Sequence, residues 1–134
     1  MSHDTRKIGV LTRASTFTVA EQAKDLAKKL GFSEVDQTKI AIATSELAVN
    51  IVVHAQGRGR TIIKTVTENG KTGIEIVAED EGPGIANVEK TLQGNVASKT
   101  GLGIGLGAVK RLMDEFKIET KVGEGTKIVA KKWL

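Results

Sequence analysis

The sequence predicts an α+β fold: a two-layer α/β sandwich in which helices cover one face of a mixed sheet. Two observations predict it. The periodic segments occur in the order strand, two helices, hairpin, loop, helix, hairpin, which differs from the strict alternation of βαβ folds. The chain has 134 residues, 40% of them hydrophobic, which is enough for the core of one domain, and we assign residues 1–134 to it.

The first half of the chain is predicted to contain an edge strand and two helices. A short apolar run places the strand at Ile8–Leu11. Thr18, with a glutamate three residues on, has the spacing of a capping box and is the predicted start of the first helix. Gly31 ends that helix, and Ser33 caps a longer one that continues to about Ala55. The apolar stripe of this long helix is Ile40, Ala43, Leu47 and Ile51.

The second half is predicted to contain two hairpins separated by a loop and a helix. Asn69-Gly70 is a strong hairpin signal, and it joins strands at Thr61–Thr67 and Thr72–Ala78. A loop from Glu81 to about Thr100, with one helical turn at Val88–Leu92, has the length of a functional or disordered segment. The remaining predicted elements are a helix at Gly105–Phe116 and strands at Lys117–Val122 and Thr126–Trp133, around the turn Gly123-Glu-Gly125.

Composition excludes several kinds of site. The chain has no cysteine, which excludes disulfides, cysteine-zinc sites and thiol nucleophiles and fits a cytoplasmic location. No apolar run approaches the length that spans a membrane, so we expect no membrane partner. The net charge of +4 favours phosphates, nucleic acid or an acidic partner. Because the lysines are scattered and aromatic residues make up 3% of the chain, nucleic-acid binding is a distant alternative.

Glu46 and Asn50 lie four residues apart on one face of the long predicted helix, at the border of its buried stripe. Asn50 can offer a neutral oxygen to a magnesium ion, which relies on substrate phosphates for its other ligands. Glu46 can accept a proton from an attacking hydroxyl. A solvated polar pair is the alternative interpretation. His54, one turn on, is predicted only to interact favourably with the helix dipole.

Asp80, Gly82 and Gly84 follow the end of a predicted strand. A carboxylate at that place can accept a hydrogen bond from an exocyclic amine such as that of adenine. A simple turn is the alternative, since aspartate, glycine and proline all favour turns. Thr126, at the start of the last strand, can direct its hydroxyl beneath the base, although Gly123-Glu-Gly125 before it is also an ordinary hairpin turn.

Four alternating glycines open the next predicted helix, and uncovered N–H groups at a helix start bind phosphates. They are Gly101, Gly103, Gly105 and Gly107. A dinucleotide fingerprint or a P-loop would need a preceding strand, which residues 94–100 do not predict. The candidate phosphate-binding residues are Gly101, Leu102, Gly103, Ile104, Gly105 and Leu106, together with Ser98, Lys99 and Thr100 if these form a lid and not a mobile surface loop.

These motifs resemble, in order, the four boxes of the GHKL ATPase superfamily, which includes gyrase B, Hsp90, histidine kinases and MutL. The four matches are Glu46…Asn50 for the N box, Asp80-x-Gly82-x-Gly84, Gly101-x-Gly103-x-Gly105, and Gly123-x-Gly125-Thr126. Nearly the whole chain is similar to one branch, the switch protein kinases of the RsbT type. The segments that carry this similarity are Ser45-Glu-Leu-Ala48, Ala78-Glu-Asp-Glu-Gly-Pro-Gly84 and Gly107-Ala-Val-Lys-Arg-Leu-Met-Asp-Glu-Phe116.

The resemblance implies a Bergerat fold and an ATP- and Mg²⁺-dependent serine/threonine protein kinase. It implies STAS-domain proteins of a stressosome as substrates and, once the kinase is released, activation of a PPM-type phosphatase in a stress response. It assigns Asp80 to adenine, Asn50 to magnesium, Glu46 to the catalytic base and Thr126 to support of the base, with the second-box glycines on the phosphates. The segment before those glycines is short and lacks an arginine, whereas related anti-sigma kinases carry basic residues there.

Two alternatives stay open at this point. One is an anti-sigma factor kinase that binds a sigma factor. The other is a docking module that binds nucleotide without physiological phosphoryl transfer. The sequence leaves the oligomeric state open, including a weak homodimer, and it does not name the partner proteins.

Overall fold

The computed structural model describes residues 4–10, 12–92 and 102–134. Within them a single sheet carries helices on one face. In chain order the elements are β1 Thr5–Val10, α1 Arg13–Leu30, α2 Glu34–His54, β2 Gly59–Glu68, β3 Lys71–Asp80, α3 Val88–Leu92, α4 Leu102–Leu112, β4 Glu115–Lys121 and β5 Gly125–Trp133.

The five strands are arranged in the order β1-β2-β3-β5-β4, and the predicted α+β class is confirmed. The expectation of a mixed sheet is wrong, because all the strand pairings are antiparallel. Two helices connect β1 to β2. The first helix begins at the end of the sheet where β1 finishes, and the second helix returns the chain to that same end. The next strand therefore runs opposite to β1. Among the described residues, no helix combines the length and hydropathy needed to cross a bilayer.

Helix α1 begins earlier than predicted. Thr18 is an exposed residue inside it and not its N-cap. The N-cap is Thr12, which has extended backbone angles, and its N–H lies 3.3 Å from the hydroxyl oxygen of Ser15. Val19 is fully buried one turn further on. Thr12 and Ser15 have the same three-residue spacing as the predicted pair, so spacing alone could not choose between the two starts.

The junction between α1 and α2 is as predicted. Gly31 ends α1 with a φ of 98°, a left-handed conformation that suits glycine. The Ser33 hydroxyl accepts a hydrogen bond from the Asp36 N–H at 3.1 Å and caps α2. The predicted stripe of α2 is confirmed as core, since each member is at most 1% exposed: Ile40, Ala43, Leu47 and Ile51.

The side chains of β3 differ between the two faces of the sheet. Ile74, Ile76 and Ala78 are buried beneath the helices. Since side chains alternate along a strand, Asp80 lies on the same, helix-facing side, at the end of the strand. The residues between them face the other side of the sheet, where ion pairs join β2 to β3 and, across β3, β2 to β5. These pairs are Arg60–Glu79 at 2.8 Å, Lys64–Glu75 at 3.2 Å and Lys131–Glu68 at 2.7 Å, and the bond to Glu68 raises the pKa of Lys131.

The hairpin at Asn69-Gly70 and the helical turn Val88–Leu92 are confirmed. Both turn residues have positive φ, 52° and 78°, as a two-residue type I′ turn requires. The predicted end of α4 at Phe116 is wrong, since the helix stops at Leu112 and Phe116 belongs to β4. Strand β5 contacts the C-terminal end of α4, where the Lys132 ammonium group donates to the Leu112 carbonyl oxygen at 2.9 Å.

The first prediction concerns the buried stripe of α2. Leu47→Ala should lower the free energy of unfolding by about 2–5 kcal/mol, because it leaves a cavity in the core. Ile42→Ala, on the same helix but 46% exposed, should cost less than about 1 kcal/mol. Urea denaturation of both variants measures the difference. Equal losses would contradict the assignment of this stripe to the core.

Candidate functional site

Helix α2 brings Glu46 and Asn50 against the start of α4. A Cβ atom built on Gly105 would lie 2.8 Å from Oε2 of Glu46 and 3.4 Å from Oδ1 of Asn50. Asn50 is 8% exposed, whereas Glu46 is only partly buried. The two residues of the first motif and one glycine of the third therefore meet at one place, as the sequence predicted, and Gly105 leaves the space that their polar atoms occupy.

The side chain of Asn50 is not satisfied within the described part of the chain. Its Nδ2 atom is buried and has no hydrogen-bond partner there. A buried polar atom without a partner costs about 1–3 kcal/mol, so its retention needs an explanation such as a bound ligand. No cluster of three or more histidine, cysteine, aspartate or glutamate side chains able to hold a metal occurs among these residues. The predicted magnesium ion would have Asn50 as its protein ligand.

Asp80 is the last residue of β3, and each of the two neighbouring strands has a glycine close to it. It lies opposite Gly59 of β2 and Thr126 of β5. A Cβ on Gly59 would lie 3.1 Å from that of Asp80 and 2.6 Å from Cγ2 of Ile51, and a Cβ on Gly125 would collide with the Asp80 carbonyl oxygen. Gly59 was not predicted as a site residue. Its only sequence signal was its position in Gln56–Gly59, the segment predicted to end the long helix. Side chains at these two positions would displace the strand end that carries the carboxylate.

The loop after Asp80 is held on the helix side. Oδ1 of Asp80 accepts a hydrogen bond from the Gly82 N–H at 2.9 Å, and a Cβ on Gly82 would lie 2.8 Å from that of Ala55. Nε2 of His54 lies 3.3 Å from the Gly84 carbonyl oxygen, so this nitrogen carries the proton in the contact. His54, to which the sequence assigned no site role, thus joins the end of α2 to the loop of the second motif.

The same loop is also held by the β4–β5 turn. Gly84 has a φ of 77°, and a side chain there would collide with the carbonyl oxygen of Lys121. The Gly123 N–H donates to the Pro83 carbonyl oxygen at 2.9 Å. Close packing of backbone on backbone therefore explains Gly84, whereas Gly123 is explained by its left-handed φ of 82°.

Thr126 is 6% exposed, and its hydroxyl lies 2.9 Å from that of Thr120. Thr120 is a site residue that the sequence did not single out. Its hydroxyl oxygen also accepts a hydrogen bond from the Ile85 N–H at 2.9 Å. The only sequence signal would have been the alternation along β4, which puts Thr120 on the same side of the sheet as Phe116 and Ile118.

Two cavities adjoin Asp80. One has a volume of about 440 Å³ and the other of about 510 Å³. Such volumes are in the range of small-molecule sites. Asp80 and Glu79 line both of them. The first is also lined by Glu119, Thr120, Lys121, Glu124, Gly125, Thr126 and Lys127, and the second by Gly57, Arg58, Gly59, Arg60 and Glu81.

The remaining candidates belong to the predicted phosphate-binding segment. Ser98, Lys99, Thr100 and Gly101 lie outside the described residues. Leu102, Gly103 and Ile104 form the start of α4, where N–H groups have no partner within the helix. The side chain of Leu106 is fully buried in the core, so it is not available to a ligand. Gly107, the sixth residue of α4, has its N–H inside the helix.

Comparison with known proteins identifies the family of this chain. Residues 11–132 match the histidine kinase-like ATPase domain family. The chain belongs to this family. It is 43% identical over 132 residues to the serine/threonine-protein kinase RsbT of Bacillus subtilis, with 98% of both chains covered. It is 36% identical to an anti-sigma F factor of Clostridium acetobutylicum, over 86% of this chain and 80% of that one.

A structural neighbour agrees with the fold of this histidine kinase-like ATPase domain. The crystal structure of the RsbU and RsbW domains of Rv1364c from Mycobacterium tuberculosis superimposes with a TM-score of 0.63 at 18% identity. The match covers 98% of this chain and 32% of that longer chain. The similarity to RsbT, which extends over nearly the whole of both chains, gives the enzyme class: the chain is a serine/threonine-protein kinase of the GHKL superfamily.

The second prediction tests the contact between α2 and α4. Gly105→Ala should displace the Glu46 carboxylate, since the added Cβ would lie 2.8 Å from Oε2, and kinase activity should fall by about 10- to 100-fold. Alanine favours a helix over glycine by about 1 kcal/mol, so thermal stability should not fall.

The matched control is Gly107→Ala, two residues further along α4. Among the described residues, its Cβ would meet only the flexible end of Arg111 at 3.3 Å and the Leu92 carbonyl oxygen at 3.6 Å. Its kinase activity should stay near that of the wild type, and its thermal stability, as for Gly105→Ala, should not fall. Equal loss of activity in the two variants would show that the contact with Glu46 is not the cause.

Proposed function

We propose that this protein is a cytoplasmic kinase that uses ATP and Mg²⁺ to phosphorylate STAS-domain proteins of a stressosome. Once released from them, it binds and activates a PPM-type phosphatase in a stress-signalling pathway. The observation that carries the nucleotide site is the meeting of Glu46, Asn50 and Gly105. The similarity to the serine/threonine-protein kinase RsbT supports a protein substrate, and the phosphatase partner is what the resemblance to RsbT-type kinases implies.

The residues present fit magnesium-ATP. Asp80 offers a carboxylate, an acceptor only, to the exocyclic amine of adenine. Asn50 has an amide that the described residues leave without a partner at Nδ2, and its Oδ1 is the oxygen that would hold magnesium. The first N–H groups of α4 are available to phosphate oxygens. When bound, magnesium-ATP supplies the phosphoryl group that is transferred.

In this proposal Glu46 is the catalytic base. Its Oε2 atom takes the proton from the serine or threonine hydroxyl of the substrate protein while that oxygen attacks the phosphoryl group. Glu46 is only partly buried, so an incoming side chain can reach it. The amides at the start of α4 stabilise the developing negative charge because they are already oriented toward it.

A second candidate is an anti-sigma factor kinase that binds a sigma factor, favoured by the 36% identity to an anti-sigma F factor. A third is a docking module in which nucleotide is a ligand and no phosphoryl group is transferred. Pull-down experiments in which this protein is offered a sigma factor or a STAS-domain protein distinguish the first two candidates. The next experiments separate both kinases from the docking module.

The third prediction is that Asp80→Asn weakens ATP binding by about 10- to 100-fold, the value of a hydrogen bond to a charged group. Isothermal titration calorimetry measures the affinity. The control is Glu68→Gln at the far end of β2, whose exposed carboxylate pairs with Lys131 and lines neither cavity. Its ATP affinity should stay unchanged. If Asp80→Asn binds ATP as the wild type does, the assignment of Asp80 to the base is wrong.

The fourth prediction concerns Glu46→Gln. With γ-labelled ATP and a STAS-domain protein, transfer of label should fall by about 100-fold or more, because the amide cannot take the hydroxyl proton. ATP affinity and activation of the phosphatase should stay at wild-type values. Absence of label with the wild-type protein, together with measurable ATP affinity, would favour the docking module instead.

A further inference from the structure

Helix α2 has a second line of apolar residues on the side opposite its buried stripe. Val35, Ile42 and Val49 lie seven residues apart, so successive members differ by only about 20° around the helix. Val35 is 65% exposed, Ile42 is 46% exposed, and Val49 is partly buried. Apolar side chains scattered singly over a surface need no explanation, but an aligned set of them marks a surface that contacts another molecule.

This line passes beside the proposed catalytic base. Residues three and four apart on a helix have Cβ atoms about 5–6 Å from each other, and Val49 and Ile42 have that spacing from Glu46. Helix α4 lies on the other side of Glu46, where Gly105 adjoins its carboxylate. A serine or threonine hydroxyl that reaches Oε2 of Glu46 therefore brings its own protein into contact with Ile42 and Val49.

Helix α1 borders this line with a phenylalanine and two lysines. The Arg6 guanidinium group of β1 donates to Oε1 of Gln22 at 2.9 Å, so this flank of α1 faces the edge strand. Phe17, Lys24 and Lys28 are rotated by about 120–160° from Gln22. They therefore lie on the flank beside α2, against which α1 packs. All three are exposed, Phe17 by 77%.

The cations on this flank lack a counter-ion within the described part of the chain. Arg13, one turn before Phe17, belongs to the same flank. None of the ion pairs among the described residues involves Arg13, Lys24 or Lys28. Glu21 is the one carboxylate in this row of α1, so the row has a net positive charge. A partner surface with an apolar centre and an acidic border would complement it.

We propose that the exposed line of α2, together with Phe17 and the cations of α1, is the docking surface for the protein substrate of the kinase. The substrate presents its acceptor hydroxyl beside an apolar patch that packs on Ile42 and Val49, and its acidic side chains face Lys24 and Lys28. This inference rests on the proposed role of Glu46 as the catalytic base, and it adds the residues that recognise the substrate.

The test measures transfer of label from γ-labelled ATP as a function of the concentration of a STAS-domain protein. Ile42→Gln replaces the apolar side chain by a polar one that also favours a helix. Its KM for the STAS-domain protein should rise about 10-fold, the value of one apolar side chain that is no longer buried in the complex. Its kcat and its affinity for ATP should stay at wild-type values.

The matched control is Leu134→Gln. Leu134 is also an exposed apolar residue, at 58%, but its N–H donates to the carbonyl oxygen of Thr72, at the end of the sheet away from Asp80. Its KM should stay unchanged. Ile42→Ala replaces the glutamine variant if that variant fails to fold, and its KM should also rise.

A second pair of variants tests the charges. Lys24→Gln combined with Lys28→Gln should raise KM by about 3- to 10-fold and should make KM less sensitive to salt, because salt screens ionic contacts at a surface. The control is Lys29→Gln, since Lys29 lies on the opposite flank of α1 and pairs with Asp25 at 3.2 Å. Its KM should stay near the wild-type value.

Several results would overturn the proposal. One is an unchanged KM in Ile42→Gln, and another is an equal rise of KM in Leu134→Gln. A fall in kcat at constant KM would assign Ile42 to the support of Glu46 instead. Loss of phosphatase activation at constant KM would assign the surface to the phosphatase, and a changed sedimentation coefficient at constant KM would assign it to a second copy of this chain.

The outcomes also separate this inference from the proposed function. Wild-type protein that binds no ATP, or transfers no label to the STAS-domain protein, would overturn both. Wild-type protein that transfers label, together with an Ile42→Gln variant of unchanged KM, would overturn only the docking surface.

Discussion

The burial of one stripe of α2 against the sheet is the interaction on which the site depends. Leu47 and Ile51 are each 1% exposed, and successive residues of a helix are rotated by about 100°. Any rotation that moved Glu46 and Asn50 away from α4 would therefore expose this stripe to water, at about 25 cal/mol for each Å² of apolar surface. Hydrophobic packing, not a contact between polar groups, aims Glu46 and Asn50 at Gly105.

Close approach of backbone is the second constraint, and it explains why the glycines of the site have different roles. Gly59 and Gly125 admit the end of β3 between neighbouring strands, Gly84 lies against the β4–β5 turn, and Gly105 makes room for the Glu46 carboxylate. All of these lie at one end of the sheet. The antiparallel topology brings them there, because each strand, helix or turn that carries a motif begins or ends at that edge.

As a result of this arrangement, the sheet and the helix layer supply different residues to the site. Asp80 and the two threonine hydroxyls belong to the sheet, whereas Glu46 and Asn50 belong to the helix layer. His54 joins the layers through its contact with Gly84. Family membership and the kinase class agree with a nucleotide held between the layers. The choice of partner protein is a separate property, since relatives with this domain include both a kinase and an anti-sigma factor.

The sequence by itself determined the α+β class, the core stripe of α2, the turn at Asn69-Gly70 and the motifs of the site, because periodicity, capping and turn chemistry are local. It placed the start of α1 and the end of α4 wrongly, and it expected a mixed sheet. The two helix ends depend on competing caps and on β5, whose Lys132 donates to the Leu112 carbonyl oxygen. Gly59, His54 and Thr120 entered the site only through tertiary structure, since each contacts residues at least 20 positions away across a strand pair or a loop. A local sequence pattern cannot predict contacts between residues that are this far apart in the chain.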